Sequence, residues 1–370
     1  MNKIKFYNVA RFYKNYKNEI LELTNQVFST GQVLNGEPII EAEKKIACLT
    51  NRKYAVTVGS CTDALFFSLI ASGIKKGDEV LVPAFSFIAS ASAISRAGAT
   101  PVFVDVNNDG SINFELAEKK ITKKTKAIML VQLYGKMIKP QNITNFTNKY
   151  NLIVIEDAAQ ALGSSNSNIP AGKIGLASCF SFDPSKIINA FGTGGVVVTD
   201  NEKIAKSIQI LRVQGKLANS EPTKLVSCNS RISSQQAAIV YFQLNKIDEI
   251  ISKRNLIANY YNTQLTKIES IRILKTSDNE TWNYHKYPIF TNFRDELKNY
   301  LTENNIETNI HFKKILPEYS VFNKSESNFP ISKQLTETEL SLPIYPELTD
   351  NEISFICDKI INFFKSKKLC

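Results

Sequence analysis

Between residues 54 and 200 the chain alternates short apolar runs with longer amphipathic stretches. The runs "YAVTV" (54–58), "EVLVP" (79–83), "PVFVD" (101–105), "KAIMLV" (126–131), "LIVIED" (152–157), "ASCFSF" (177–182) and "GVVVTD" (195–200) read as strands. Most segments between them are long enough for a helix, for example "CTDALFFSLIASG" (61–73) and "FIASASAISRAG" (87–98). Apolar strands joined by helical crossovers predict an α/β fold with a largely parallel sheet covered on both faces.

After about residue 205 the pattern changes. The stretch "SSQQAAIVYFQLNKIDEIISKRNLIANYYNTQL" (233–265) predicts one long helix. Shorter mixed elements follow, including "HKYPIF" (285–290) and "FRDELKNYLTENN" (293–305), then a last helix near 351–366. This shift predicts a large domain over residues 1–250 and a smaller C-terminal α/β domain over 251–370, linked through the long helix.

Composition narrows the classes of function. With 43% hydrophobic and 22% charged residues over 370 positions, the chain is a folded one that can bury a sizeable core. The net charge of +10 raises nucleic acid as a partner, but Lys and Arg are spread from Lys3 to Lys368 without a cluster. No nucleic-acid role is expected, and a basic surface suits an anionic small substrate equally well. The cysteines, Cys48, Cys61, Cys179, Cys228, Cys357 and Cys370, form no C-x-x-C pair and no zinc spacing, so no metal is expected. No window approaches the ~18 apolar residues of a membrane span, and the N-terminus lacks a leader pattern, so the expected compartment is the cytoplasm. There is no G-x-G-x-x-G after the first strand and no G-x-x-x-x-G-K-[ST]. A parallel sheet without either motif needs another cofactor or none.

Ligands of open parallel sheets collect beyond the carboxyl ends of the strands, and three such ends carry suggestive residues. In "VGSCTDAL" (58–65), Gly59 and Ser60 make a turn before a helix starting near Thr62, where free amides and the helix dipole suit a phosphate. Ser and Thr there are equally ordinary helix caps. In "LIVIEDAAQALGS" (152–164), a strand runs into Glu156 and Asp157, with Gln160 three residues on. A carboxylate at a buried strand end is either a cap for the next helix or a counter-ion for a cation, such as a protonated ring nitrogen. In "CFSFDPSK", Asp183 and Pro184 turn the chain so that Lys186 lies at the same sheet edge. Lys186 is either a surface lysine or a desolvated amine able to form a Schiff base. Phosphate turn, strand-end acid and post-strand lysine, in that order, fit pyridoxal phosphate, which needs a phosphate anchor, an acid at its ring nitrogen and a lysine at its aldehyde. Phe87, in "PAFSFIAS" (83–90), is placed either to stack on a flat ring or to fill the core.

At this point the sequence resembles the DegT/DnrJ/EryC1/StrS group of sugar aminotransferases, which are fold-type-I pyridoxal phosphate enzymes. The resemblance covers nearly the whole chain, through "GQVLNGEPIIEAEKKIA" (31–47), "SCTDALFFSLIASGIKKGDEVLVPAFSFIASASAI" (60–94), "GATPVFVDV" (98–106), "TKAIMLVQLYGK" (125–136), "VIEDAAQALGS" (154–164), "FSFDPSKIINAFGTGG" (180–195), "CNSRISSQQAA" (228–238) and "LSLPIYPELTD" (340–350). It implies that Lys186 forms the Schiff base and then shuttles a proton between the substrate α-carbon and the cofactor. Asp157 then holds the pyridine nitrogen protonated and Gln160 hydrogen-bonds the ring hydroxyl. By the same resemblance Thr62 and Asp63, through their amides, and the Ser181 hydroxyl hold the phosphate, and Phe87 stacks on the ring. Asn229 of "NSR" reaches the neighbouring subunit's cofactor phosphate, making the active unit a homodimer, while Arg231 and His311 lie near the nucleotide sugar.

The sequence departs from the family pattern at Cys61, where glycine is usual. It departs again in "HFKKILPEYSVF", which lacks the usual tyrosine-proline pair and second histidine, and in "RISSQQAA", which lacks an acid after the Asn-Ser-Arg. The implied reaction passes the amine of L-glutamate, which leaves as 2-oxoglutarate, to a nucleotide-linked keto sugar. "GQVLNGEPI" and "NSR" lean towards a 3-keto over a 4-keto sugar, dTDP- or UDP-linked, in surface-glycan or O-antigen biosynthesis. A sugar dehydratase of the same fold would carry histidine where Lys186 stands. A cofactor-binding regulator without catalysis would have lost Lys186 or Asp157.

Overall fold

The seven apolar runs form the seven strands of one sheet. A computed structural model describes residues 3–216, 226–322 and 328–367, so Lys368 and Cys370 lie outside the described residues. In chain order the strands are β1 (Tyr54–Val58), β2 (Glu79–Pro83), β3 (Thr100–Val104), β4 (Thr125–Val131) and β5 (Ile153–Asp157). A short hairpin of β6 (Ser165–Asn166) and β7 (Ile169–Pro170) precedes β8 (Ala177–Ser181) and β9 (Gly195–Thr199). The large sheet has the order β1-β9-β8-β5-β4-β2-β3. Pairing is parallel from β3 through β8, while β9 is antiparallel to both β8 and β1. So β9 alone runs against the other six strands.

Alternation along each strand divides the core into two layers. Ile128, Leu130, Val154, Val196 and Val198 face one layer, and Ala127, Met129, Ile155 and Val197 face the other. Both faces are covered, which is why these strands read as continuous apolar runs rather than as an alternation.

The expected single helix over 233–265 is two helices, Ser234–Leu244 and Ile247–Leu265, separated at Asn245 and Lys246. The first packs on the helix Glu37–Leu49 and the second on the helix Asp350–Ser366. The break lets one apolar stretch serve two cores. Ala237, Val240, Leu244, Ile247 and Ile251 join a layer of the large sheet, whereas Ile257, Ala258, Tyr261 and Leu265 join a second core. That second core surrounds a small antiparallel sheet of β10 (Arg272–Ile273), β12 (Tyr287–Phe290) and β13 (Glu339–Leu342). Between β10 and β12, β11 (Glu280–Thr281) pairs with β6 and fastens the later chain to the segment that follows β5. A Lys136–Glu280 salt bridge of 2.5 Å holds the same junction.

Among the described residues the five cysteines are free thiols, no group of His, Cys, Asp and Glu is placed to hold a metal ion, and no helix is long and apolar enough to cross a membrane.

Candidate active site

Because six strands run the same way, the ends of β1, β2, β4, β5 and β8 open on one edge of the sheet, and a cavity of about 430 Å³ lies there. The reversed β9 contributes its beginning instead, so Thr193 and Gly194 join the same lining. Gly195 must be glycine because a Cβ there would stand 2.6 Å from the Cys61 amide nitrogen. The glycine cluster therefore brings β9 against the turn after β1.

That turn is capped by Ser60, whose Oγ accepts from the Asp63 amide at 3.1 Å. Ser60, Cys61 and Thr62 line the cavity, and Asp63 does not. The Asp63 carboxylate instead pairs with Arg96 at 2.5 Å and accepts from Ser230 Oγ at 2.7 Å. Cys61 and Thr62 open the same helix, and amides of a first helical turn have no partner within the helix. Ser230 also accepts from the Gly59 amide at 3.0 Å, which docks "NSR" beside the turn. Its neighbours Asn229 and Arg231 bond to one another at 2.9 Å and lie outside the cavity lining.

The two acids ending β5 have opposite fates because they point to opposite faces of the sheet. Glu156 is buried and fully engaged, accepting from Gln132 Nε2 (2.9 Å), Ser178 Oγ (2.7 Å) and the Gly172 amide (3.1 Å). Asp157 lines the cavity and accepts from Ser90 Oγ (2.7 Å) and the Ala159 amide (3.3 Å), with no cation in salt-bridge contact among the described residues. Burial raises its pKa, against the pull of those hydrogen bonds and of Lys186. Ser86, also in the lining, contacts Ser90 at 3.0 Å, so a chain of two hydroxyls leads to this carboxylate.

Lys186 lies in the cavity, carried by a tight turn after β8, the strand next to that of Asp157 in the order of the sheet. Asp183 Oδ1 accepts from Ser185 N at 3.0 Å and Ser185 Oγ at 2.7 Å, and the Lys186 amide bonds to Asp183 O at 2.9 Å. Desolvation lowers the pKa of its amine, although Cys61, Asp183 and Asp157 oppose the shift. An amine so placed is a better nucleophile at neutral pH than an exposed lysine. Ser181 is in the lining, and its Oγ accepts from the Asp183 amide at 3.3 Å. Phe87, 59% exposed, stands at the cavity rim just before a helix rather than in the core. Gln160 is in the lining too, its Oε1 accepting from the Tyr134 amide at 2.7 Å.

The opposite wall comes from residues 282–286 and 309–312. Asn283 stitches the first segment down, donating to Gln160 O and Leu162 O (both 2.9 Å) and accepting from the His285 amide (2.8 Å). Trp282 Nε1 adds a bond to Tyr134 O at 3.0 Å. This brings His285 and Lys286 into the cavity, where His285 contacts Gln160 Oε1 (3.3 Å) and Ser185 O (3.1 Å) through its two ring nitrogens. His311 lies in the lining as well, its backbone amide bonding Glu339 Oε2 at 3.2 Å. Burial first, then nearby lysines, depresses the pKa of both histidines well below the usual value.

Sequence reasoning missed His285, Lys286, Ser86, Ser90 and Asn309. The chain has only two histidines, and both are in this cavity; that scarcity was the available signal.

The residues present fit pyridoxal phosphate. A buried carboxylate lacking a cation, an amine lacking a carboxylate and free amides at a helix start share one cavity, and these complement a pyridinium, an aldehyde and a phosphate. With its mostly parallel seven-stranded sheet, the chain is a fold-type-I pyridoxal phosphate enzyme. The model of the DegT/DnrJ/EryC1/StrS aminotransferase family matches residues 14–361, and the chain belongs to that family. It is 34% identical over 361 residues to the dTDP-3-amino-3,6-dideoxy-alpha-D-galactopyranose transaminase of Aneurinibacillus thermoaerophilus, covering 96% of this chain and 98% of that protein. To the GDP-perosamine synthase of Escherichia coli O157:H7 it is 35% identical, covering 96% of each. The crystal structure of Streptomyces venezuelae DesV in complex with a ketimine intermediate superposes with a TM-score of 0.95 at 29% identity, covering 98% of this chain and 99% of that one.

Proposed function

We propose that the protein transfers the amine of L-glutamate to a keto group of a nucleotide-linked deoxysugar, with a 3-keto sugar on dTDP or UDP favoured, for a surface glycan such as O-antigen. The observation that carries this reading is the presence, in one cavity, of a buried Asp157 with no cation in salt-bridge contact among the described residues and a desolvated Lys186. The transaminase of A. thermoaerophilus, named for a dTDP-3-amino sugar, supports the acceptor class and the position.

Pyridoxal phosphate, when bound, supplies an aldehyde for amines and an electron-withdrawing ring. Asp157 holds the ring nitrogen protonated, and Ser86 and Ser90 orient that carboxylate. Lys186 would hold the aldehyde until the donor's amine takes its place, and the amine so freed would be the base that moves a proton at the donor's α-carbon. The Cys61 and Thr62 amides and Ser181 hold the phosphate, a reading supported by the engagement of the Asp63 amide in its cap. Gln160 meets the ring hydroxyl and Phe87 covers the ring from the rim. His311 faces the sugar. Asn229, outside this chain's cavity, serves the partner's cofactor phosphate in a homodimer, and Arg231, also outside it, is assigned to the nucleotide sugar. Residues 1–250 form the cofactor-binding unit and 251–370 the smaller one, in keeping with the change of core along the helix Ile247–Leu265. The cytoplasm, where nucleotide sugars are made, is the assigned compartment.

The test is to purify the protein, follow its visible absorbance on adding L-glutamate, then supply 3-keto and 4-keto nucleotide sugars and identify the product by mass and NMR. A protein that neither carries nor takes up the cofactor, or whose spectrum ignores every amino acid, would sink the reading.

A further inference from the structure

An amino-acid donor brings a carboxylate on the very carbon that gives up its amine, and a cavity that takes that charge out of water must offer it a partner. The basic side chains in the lining are Lys186, His285, Lys286 and His311. Lys186 is committed to the cofactor aldehyde before the donor arrives, both His285 ring nitrogens already meet Gln160 Oε1 and Ser185 O, and His311 Nδ1 meets Asn309. Lys286 remains.

Lys286 is 5% exposed, and its ammonium lies 4.7 Å from the Phe6 ring centroid. No carboxylate among the described residues is within salt-bridge distance of it; Asp183 and Glu339 act on it only from farther off. A cation–π contact of roughly 0.5–2 kcal/mol does not offset the several kcal/mol needed to desolvate an ammonium. An apolar side chain would suit this aromatic, buried position better if packing were the sole requirement. Burial first, then the charges of Lys186 and Arg254, lowers the pKa of the Lys286 amine. Lys286 lines the same cavity as Lys186, so an acid group held by Lys286 lies in the space where Lys186 acts, whereas the phosphate amides lie at the turn after β1.

The geometry points to Lys286 as the residue that binds the α-carboxylate of the amino donor. This rests on the transaminase reading above but not on glutamate being the donor, since every α-amino acid carries that group. The role is a binding one, distinct from proton transfer by Lys186.

The experiment uses cofactor-loaded wild type, Lys286→Met and Lys286→Arg. Each is titrated with α-methyl-L-glutamate, which has no α-proton to lose, and binding is read from the cofactor absorbance. The single-turnover reaction is also followed with a panel of amino acids. Lys286→Met is expected to weaken binding by about 30-fold or more, with Lys286→Arg recovering most of the loss. The amine-loaded form should react with keto sugar at a rate within about threefold of wild type, and thermal stability should hold or rise, because an unpaired buried charge is gone. Donor binding within about threefold of wild type in Lys286→Met overturns the proposal. So does a loss confined to the sugar half-reaction, which would assign the ammonium to an acidic group of the sugar, or a loss of cofactor loading, which would assign it to the cofactor. Failure of the wild type to react with any amino acid sinks the transaminase reading and this proposal together. A reactive wild type with a normally binding Lys286→Met sinks this proposal alone.

Discussion

The two walls of the cavity are built by different means. On the sheet side, Ser60, Asp157, Ser181 and Lys186 each stand at or within a few residues of a strand end, so the hydrogen-bonded ladder itself sets their positions. On the other side, His285, Lys286 and His311 come from segments without periodicity, held by side-chain bonds to backbone such as those of Asn283 and Glu339. The difference teaches that the groups assigned to amine chemistry are on the sheet, while the groups assigned to substrate binding are on a part that can be changed without touching it.

Changes on the sheet side should break that contrast most strongly. Lys186→Ala should slow amine transfer by about 10³-fold or more, measured in single turnover with cofactor absorbance, because the base and the aldehyde anchor go together. A rate near wild type would mean that Lys286 substitutes for it. Next, Asp157→Asn should cost about 10²-fold in rate with the fold intact, since an amide cannot keep the ring nitrogen protonated. Its neighbour sharpens the point: Glu156→Gln, on the opposite face, should leave the rate within a few-fold and appear in the denaturation midpoint instead.

The opposite wall should respond in stability and substrate handling. Asn283→Ala removes three hydrogen bonds and should cost about 2 kcal/mol in urea unfolding, with a rise in KM for substrates larger than the fall in kcat. If kcat fell as in Asp157→Asn, the division of labour between the walls would be wrong. The smallest effect concerns Glu339, which burial pushes from near 4.5 up to about 7, against hydrogen bonds from Ser341 and the His311 amide. Its folded pKa lies above the unfolded value, so folding takes up a proton between about pH 4.5 and 7. The stability it lends is complete below that window and is lost as pH rises through 7, about 1–2 kcal/mol between pH 5 and 7. Glu339→Gln should flatten that slope in melts across pH; an unchanged slope would reassign the proton.

Much of the sheet side was legible. The runs at 54–58 and 79–83 coincide with β1 and β2, and the other five strands differ from the expected bounds by one residue at most ends. Strand ends then placed Asp157 and Lys186 on one edge by topology alone. The long helix was misread because its apolar period continues through Asn245 and Lys246, while the turn there depends on two cores that lie far apart in sequence. The Asp63 amide was likewise assigned without its competitor, the Ser60 hydroxyl.

Local pattern thus settled which stretches are strands, that both sheet faces are buried and that Asp157 and Lys186 share one sheet edge, because side-chain period and turn chemistry act over a few neighbours. The reversal of β9, the separation of Glu156 from Asp157 by the pleat's partners, and the arrival of His285 and Lys286 in the cavity were decided only by the assembled fold. They depend on hydrogen bonds between residues well separated in sequence, from Gln132 to Glu156 and from Asn283 to Gln160, and such contacts exist only once the chain has closed on itself.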